Sequence, residues 1–262
     1  MQMAQLGDLR LHYQVTGPED GTPVVFANSL GTDFRLWDSI LPLLPQGLRI
    51  LRFDKRGHGL SDTPAGPYSM GALVTDTERL MDLTGFKDAI FVGLSIGGMI
   101  AQGLAAKRLD LVRAMVLSNT GAKIATRDMW AERIAAVEAG GLEAVVDSTM
   151  VRWFSKPFHD DPEFPAWRNM FLRTPAVGWT GCAAAISGTD FISSTSALRL
   201  PTLAIAGSED GSTPPDLVFE TADLVPGAQK ELIKGAGHLP CVENPGEYAR
   251  ILSGFLKAQG AG

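Results

Sequence analysis

A serine in the setting Gly93-Leu94-Ser95-Ile96-Gly97-Gly98 is the residue of this chain whose surroundings most plainly favour reactivity. The apolar run 89–92 before it reads as a buried strand, and 99–107 after it carries a helical pattern, so the hexapeptide is a sharp strand-to-helix turn. Such a turn holds the serine in a strained conformation, and the flanking glycines remove side chains that would clash. It also lifts the serine oxygen to the carboxyl edge of a sheet with a helix N-terminus behind it. An oxyanion formed there meets aligned N–H groups, with Ile96 supplying one of them. A glycine-rich turn with an incidental serine is the plainer reading; the strand and helix on either side argue against it.

A serine hydroxyl is a feeble nucleophile, so the chemistry needs a base and a group to orient that base. Of the four histidines, His238 lies in Gly235-Ala236-Gly237-His238-Leu239-Pro240, a glycine-flanked loop after an apolar run. His58, in Arg56-Gly57-His58-Gly59, fits a structural role in a tight loop, and His12 and His159 read as surface or cap residues. The acid is expected in Gly207-Ser208-Glu209-Asp210, again just past a strand. Asp210 is the choice and Glu209 the competitor; capping of the following helix is the alternative role for either. Together Ser95, His238 and Asp210 could run nucleophilic attack on a carbonyl through a covalent intermediate, with no metal or nucleotide required. Cys182 and Cys241 have no metal-ligand spacing and read as small buried side chains.

These groups need a scaffold that brings strand ends to one edge. Residues 9–15 alternate apolar and polar, followed by a turn-rich break at 17–21, which suggests an antiparallel hairpin opening the sheet. Short apolar runs at 24–27, 50–53, 89–92, 115–118, 202–206 and 230–233 read as strands. Residues 34–44, 70–83, 214–224 and 245–257 read as helices covering them. The expected fold class is α/β: a doubly wound, mostly parallel sheet. Residues 122–196 break the rhythm and are expected to form an inserted helical cap, leaving 1–121 and 197–262 as the core domain. Four of the five tryptophans (Trp130, Trp153, Trp167 and Trp179) fall in this insertion, where they could form its own small core or roof a pocket. Residues 259–262 read as a frayed tail.

Composition narrows the partners. The chain has 262 residues, 45% hydrophobic, 20% charged and 8% aromatic, with a net charge of -6. Lys and Arg are scattered, with no basic stripe to follow a phosphate backbone, so nucleic acid is not expected as a partner. There is no signal-peptide pattern at the start and no uncharged apolar run of about 18 residues or more, so no membrane association is expected and a cytoplasmic location is. A small-molecule substrate is the expected partner; oligomeric state is not legible.

Several of these segments carry a family resemblance. Asn28-Ser29-Leu30-Gly31, Asp54-Lys55-Arg56-Gly57-His58-Gly59-Leu60-Ser61-Asp62, the 93–98 turn, the 207–210 turn and the 235–240 loop together resemble the α/β-hydrolase superfamily across nearly the whole chain. The order Ser, Asp, His is the order that superfamily uses. Within it, 28–37 (NSLGTDFRLW) and 94–101 (LSIGGMIA) resemble the 3-oxoadipate enol-lactonases. Many relatives carry His-Gly where this chain has Asn28-Ser29, but the donor in that loop is a backbone N–H, and by position it would be that of Leu30. The resemblance implies hydrolysis of a small carboxylated enol-lactone to a 3-oxo dicarboxylic acid in aromatic-compound breakdown. The substrate carboxylate would then need a cation or polar donors, for which Trp130 and Arg133 at the start of the cap are the candidates. A general carboxylesterase or cofactor-free perhydrolase would use the same triad, and a non-catalytic ligand receptor could retain it without turnover.

Overall fold

The structure, a computed structural model, describes residues 1–261. Its centre is one eight-stranded sheet: β1 (Gln2–Leu6), β2 (Leu9–Thr16), β3 (Thr22–Ala27), β4 (Leu48–Phe53), β5 (Ala89–Leu94), β6 (Val112–Ser118), β7 (Thr202–Gly207) and β8 (Gln229–Ile233). The spatial order is β1-β2-β4-β3-β5-β6-β7-β8. From β4 to β8 every neighbouring pair is parallel, whereas β2 runs antiparallel to both β1 and β4. Strands β5 and β7 are buried along their whole length, and this is why AIFVGL and TLAIAG are continuous apolar runs rather than alternating ones. The outermost strand β8 is exposed except at Ile233 and is correspondingly polar.

Helices α1 (Met70–Thr84), α2 (Ile96–Lys107), α8 (Pro215–Asp223), α9 (Pro240–Glu243) and α10 (Pro245–Ala258) belong to the sheet layers. Between β6 and β7 the chain leaves the sheet and forms α3 (Arg127–Gly140), α4 (Val146–Trp153), α5 (Phe164–Leu172), α6 (Ala176–Ser187) and α7 (Ile192–Ser196). The two ends of this excursion meet where Phe191 N–H donates to Ala122 O at 2.9 Å. Helix α7 already lies back on the core, with Thr195 Oγ1 donating to Gln102 Oε1 on α2 at 2.8 Å.

Register decides where the chemistry can sit. Ala27 pairs with Gly93, Leu94 with Ser118, Ser118 with Ile205, and Gly207 with Ile233. The carboxyl ends of β3, β5, β6, β7 and β8 therefore form one edge, and the residues just beyond them share one crevice.

Four local expectations are corrected. Residues 34–44 do not form an amphipathic α-helix but two 3-10 turns, Phe34–Trp37 and Leu41–Leu43; Pro45 holds the preceding Leu44 extended (ψ 160) and stops the second turn, and the Asp33 side chain closes the first turn on Arg35 N–H. The opening hairpin is β1–β2, turning at Gly7, and β2 pairs with β4 rather than β3. His12 is not a surface or cap residue: it is buried in β2, Nδ1 lies 2.8 Å from Asp54 Oδ2, and its ring stacks on Phe34 at 4.9 Å. The C-terminal stretch is ordered through Ala261, which is buried and donates its N–H to Leu256 O at 3.0 Å; Gly262 lies outside the described residues.

Candidate active site

The turn after β5 is built by close backbone approach. Ser95 takes φ 57 and ψ -119, a conformation that side-chain-bearing residues rarely adopt and that persists only when its surroundings hold it. Here Ser95 N–H donates to Ser118 O at 3.0 Å, and Ser95 O accepts from Thr120 Oγ1 at 2.7 Å and from Gly98 N–H at 2.9 Å. Glycine is required on both sides: a Cβ on Gly97 would lie 2.0 Å from Ala27 O, and one on Gly93 would lie 2.2 Å from Gly97 O. Helix α2 begins at Ile96, whose N–H has no acceptor within the helix because it occupies the first position.

His238 is almost fully buried, and its neighbours fix its tautomer. Nδ1 lies 2.9 Å from Asp210 Oδ2. An ionised carboxylate can only accept, so Nδ1 carries the proton and Nε2 of the neutral ring is left as the acceptor. Nε2 lies 3.4 Å from Ser29 Oγ and opens onto the cavity that Ser95 also lines. The backbone of the histidine is tied to the helical excursion, His238 N–H donating to Trp153 O at 2.7 Å. Glu243 braces the same loop: Oε1 accepts from Gly237 N–H at 2.6 Å while Oε2 accepts from Ser155 N–H at 3.0 Å.

Asp210 receives five hydrogen bonds. Oδ1 accepts from Ser212 N–H at 2.7 Å and Thr213 N–H at 3.0 Å; Oδ2 accepts from His238, from Asn119 Nδ2 at 2.9 Å and from Thr213 Oγ1 at 2.7 Å. Burial works to raise this carboxyl, but the His238 charge and the hydrogen bonds from His238, Asn119 and Thr213 outweigh it, and the group is held below the usual carboxylate range. Glu209, by contrast, is exposed, and among the described residues its carboxylate accepts only from Ser208 Oγ, at 3.2 Å.

The loop after β3 faces Ser95. Among the described residues its Leu30 N–H has no acceptor, whereas Gly31 N–H donates to His58 Nε2 at 2.9 Å. Burial first, then the nearby Lys55 charge, push His58 well below its ordinary value, so it stays a neutral acceptor with a structural task.

Ser29, Leu30, Ser95 and His238 line a narrow cavity of about 50 Å³ together with Trp130, Arg133, Arg152 and Trp179. Trp130 is fixed by Nε1–H donating to Ile124 O at 2.8 Å, and Arg133 lies over its ring at 5.0 Å. Among the described residues neither Arg133 nor Arg152 is paired with a carboxylate. Burial lowers Arg133; burial and the charge of Arg133 push Arg152 down to about 10. A larger hollow of about 450 Å³, lined by His12, Phe34, Leu60, Met170 and Arg173 among others, holds none of Ser95, Asp210 and His238, so size does not locate the chemistry. Among the described residues no group of three or more His, Cys, Asp or Glu side chains is arranged to hold a metal ion. No helix among them is long and apolar enough to cross a membrane.

Leu30, Ser95, Trp130, Arg133 and His238 therefore line one cavity; Asp210 stands behind it, reached through His238 Nδ1, and Ile96 follows Ser95 at the start of α2 without lining the cavity. Sequence reasoning missed four contributors: Asn119, Thr213, the Ser29 side chain and Arg152. Thr213 had a local signal, since it lies three residues beyond the acid in a turn entering a helix. Asn119 had a weaker one, an asparagine at a strand end that takes φ 44.

A family model described as alpha/beta hydrolase fold matches residues 22–245. The 3-oxoadipate enol-lactonase 1 of Acinetobacter baylyi is 34% identical over 250 residues, covering 95% of this chain and 93% of the relative. Among solved structures, an enol-lactonase from Burkholderia xenovorans superposes with a TM-score of 0.94 at 30% identity, covering 98% of this chain and 100% of the other. A thermophilic esterase from Thermogutta terrifontis gives a TM-score of 0.91 at 26% identity, covering 98% of this chain and 99% of the other.

Proposed function

Because this chain belongs to the α/β-hydrolase family and is a hydrolase, we propose that it opens a small carboxylated enol-lactone, of the 3-oxoadipate enol-lactone kind, through an acyl-enzyme on Ser95. The observation that carries the substrate class is the pair Arg133 and Arg152: two half-buried cations face one narrow cavity, with no carboxylate among the described residues to balance them. Leaving them so is costly in the empty site and is repaid by an anionic ligand. The likeness to the two enol-lactonases points the same way.

In this reading the lactone carbonyl lies over Ser95 with its oxygen toward Leu30 N–H and Ile96 N–H. His238 Nε2 takes the hydroxyl proton as the oxygen attacks, and Asp210 stabilises the imidazolium formed. Backbone donors at the hole would each contribute roughly a hundredfold to a thousandfold. The ring C–O bond breaks, and the enol oxygen leaves with the proton returned by His238. Water, deprotonated by the same nitrogen, then releases the acid from Ser95. Both ends of the opened chain stay in the cavity because the reacting ester is internal, and this suits a pocket with little room beyond one small ring.

The test compares kcat/KM for the free-acid lactone, its methyl ester and an aryl ester of similar size. The free acid is expected to lead the methyl ester by about tenfold to a hundredfold, the value of a charged hydrogen bond. Arg133→Ala should remove that advantage and leave the aryl ester within about twofold. Equal efficiency on all three would instead establish a general carboxylesterase, the reading favoured by the likeness to the Thermogutta esterase. An equal loss on all three in Arg133→Ala would make the arginine a support for the excursion rather than an anchor.

A further inference from the structure

Lys55 is 3% exposed, yet among the described residues it has no carboxylate partner. Its Nζ donates to Ser29 O at 2.6 Å and to Thr32 O at 3.4 Å. The two acids nearest to it are occupied elsewhere: Asp54 accepts from Phe34 N–H and Leu60 N–H and lies against His12, and Asp33 holds Arg35. A buried ammonium with only carbonyl partners is expensive, and a neutral donor would hold the same loop for less. The loop already has other restraints, Asn28 Nδ2 donating to Thr32 O at 2.5 Å and Gly31 N–H to His58 Nε2 at 2.9 Å. What the charge adds must lie in where it points.

It points at one end of a peptide unit whose other end faces the reaction. The carbonyl of Ser29 and the N–H of Leu30 belong to the same planar group, so a cation on the oxygen draws electron density from the nitrogen and strengthens its N–H as a donor. We propose that Lys55 is a positioning residue of the oxyanion hole, acting through the Ser29–Leu30 peptide to orient and polarise the Leu30 N–H. This rests on the reading above in which that N–H holds the oxyanion. The effect is selective for the transition state: a neutral ester carbonyl gains little from the polarised donor, whereas the anionic oxygen gains both the stronger hydrogen bond and the field of the ammonium behind it. The charge left uncompensated in the free protein finds its counterion only when the tetrahedral intermediate forms.

Burial pushes Lys55 down to about 8, against the raising effects of Cys182, Asp54 and Asp33. The other titratable neighbour is His58, which is neutral and carries no competing charge. As pH rises through about 8 the ammonium is lost, and kcat is expected to decline with it.

The experiment uses Lys55→Met, which removes donor and charge, and Lys55→Gln, which keeps a donor and removes only the charge. The probes are 4-nitrophenyl acetate as substrate and phenylboronic acid as a ligand that forms a tetrahedral anion on the serine. Expected in both variants are a loss of kcat of about tenfold to a hundredfold, KM within about twofold, weaker boronate binding by the same factor as kcat, and disappearance of the wild-type decline near pH 8. Wild-type kcat and boronate affinity in Lys55→Gln would overturn the proposal, since the carbonyl would then need only a neutral donor. So would a change confined to KM. If Lys55→Met fails to fold, Lys55→Gln and the wild-type pH profile still decide. Ser95→Ala separates the two readings: activity surviving in it sinks the serine mechanism, whereas an inactive Ser95→Ala beside an unimpaired Lys55→Gln sinks Lys55 alone.

Discussion

Ser95→Ala is expected to lower kcat by about five to six orders of magnitude, and His238→Ala by a similar amount, while the double variant loses little more than either alone. The near-equality follows from the roles. Without Oγ there is no nucleophile for His238 to deprotonate, and without the imidazole Oγ stays a neutral hydroxyl, so each deletion disables the same step. The residual rate would come from the Leu30 and Ile96 donors and from binding. Ser95→Ala should also leave the fold intact. The strained backbone at this position is held through main-chain atoms, Ser95 N–H to Ser118 O and Ser95 O to Thr120 Oγ1, and the substitution touches neither. Steady-state rates on an aryl ester with thermal melts of the three variants check both parts. Losses that multiply, or activity persisting in Ser95→Ala, would count against Ser95 and His238 working as one unit.

What could be read from the sequence divides along the range of the interactions. The 93–98 turn was legible because its signal is local: an apolar strand, two glycines where no Cβ fits, and a helix to follow. Buried parallel strands were legible for the same reason, being continuous apolar runs. Strand β1 was not, because an edge strand reading QMAQL buries only Ala4 and Leu6 and has no apolar run to notice. His12 was misjudged because its partner Asp54 is 42 residues away, and β2 meets β4 only through the sheet order. The same holds within the site. Asn119 reaches Asp210 across 91 residues and Lys55 reaches Ser29 across 26, both by virtue of strand register rather than any pattern in the neighbouring residues. Arg152 offered no local cue: it becomes a site residue because α4 ends against the acid loop, where Gly211 N–H donates to Arg152 O at 3.0 Å.

Asp210→Asn is expected to cost about four orders of magnitude in kcat, although it changes one atom and preserves volume. The hydrogen-bond pattern says why. Every partner of the carboxylate is a donor or can act as one: Ser212 N–H and Thr213 N–H at Oδ1, Asn119, Thr213 Oγ1 and His238 at Oδ2. An amide placed there must put its NH2 against one set. Facing the two backbone N–H groups it would lose both bonds with no way to rotate them, so the amide nitrogen will take the Oδ2 side, where it confronts His238 Nδ1. The imidazole then has to accept at Nδ1 and carry its proton on Nε2, and in that tautomer it cannot take a proton from Ser95. Stability should follow pH in a matching way. Because Asp210 is held below the usual carboxylate range, its ionised form stabilises the native protein above that range and ceases to do so as pH falls through the lowered value. The gap in Tm between wild type and Asp210→Asn is therefore expected to be widest at neutral pH and to narrow below about pH 4. Glu209→Gln should stay within about twofold on kcat, since that side chain meets only Ser208 Oγ. A severe Glu209→Gln beside a mild Asp210→Asn would move the acid by one residue and take with it the tautomer argument, because Glu209 has no contact through which to hold Nδ1.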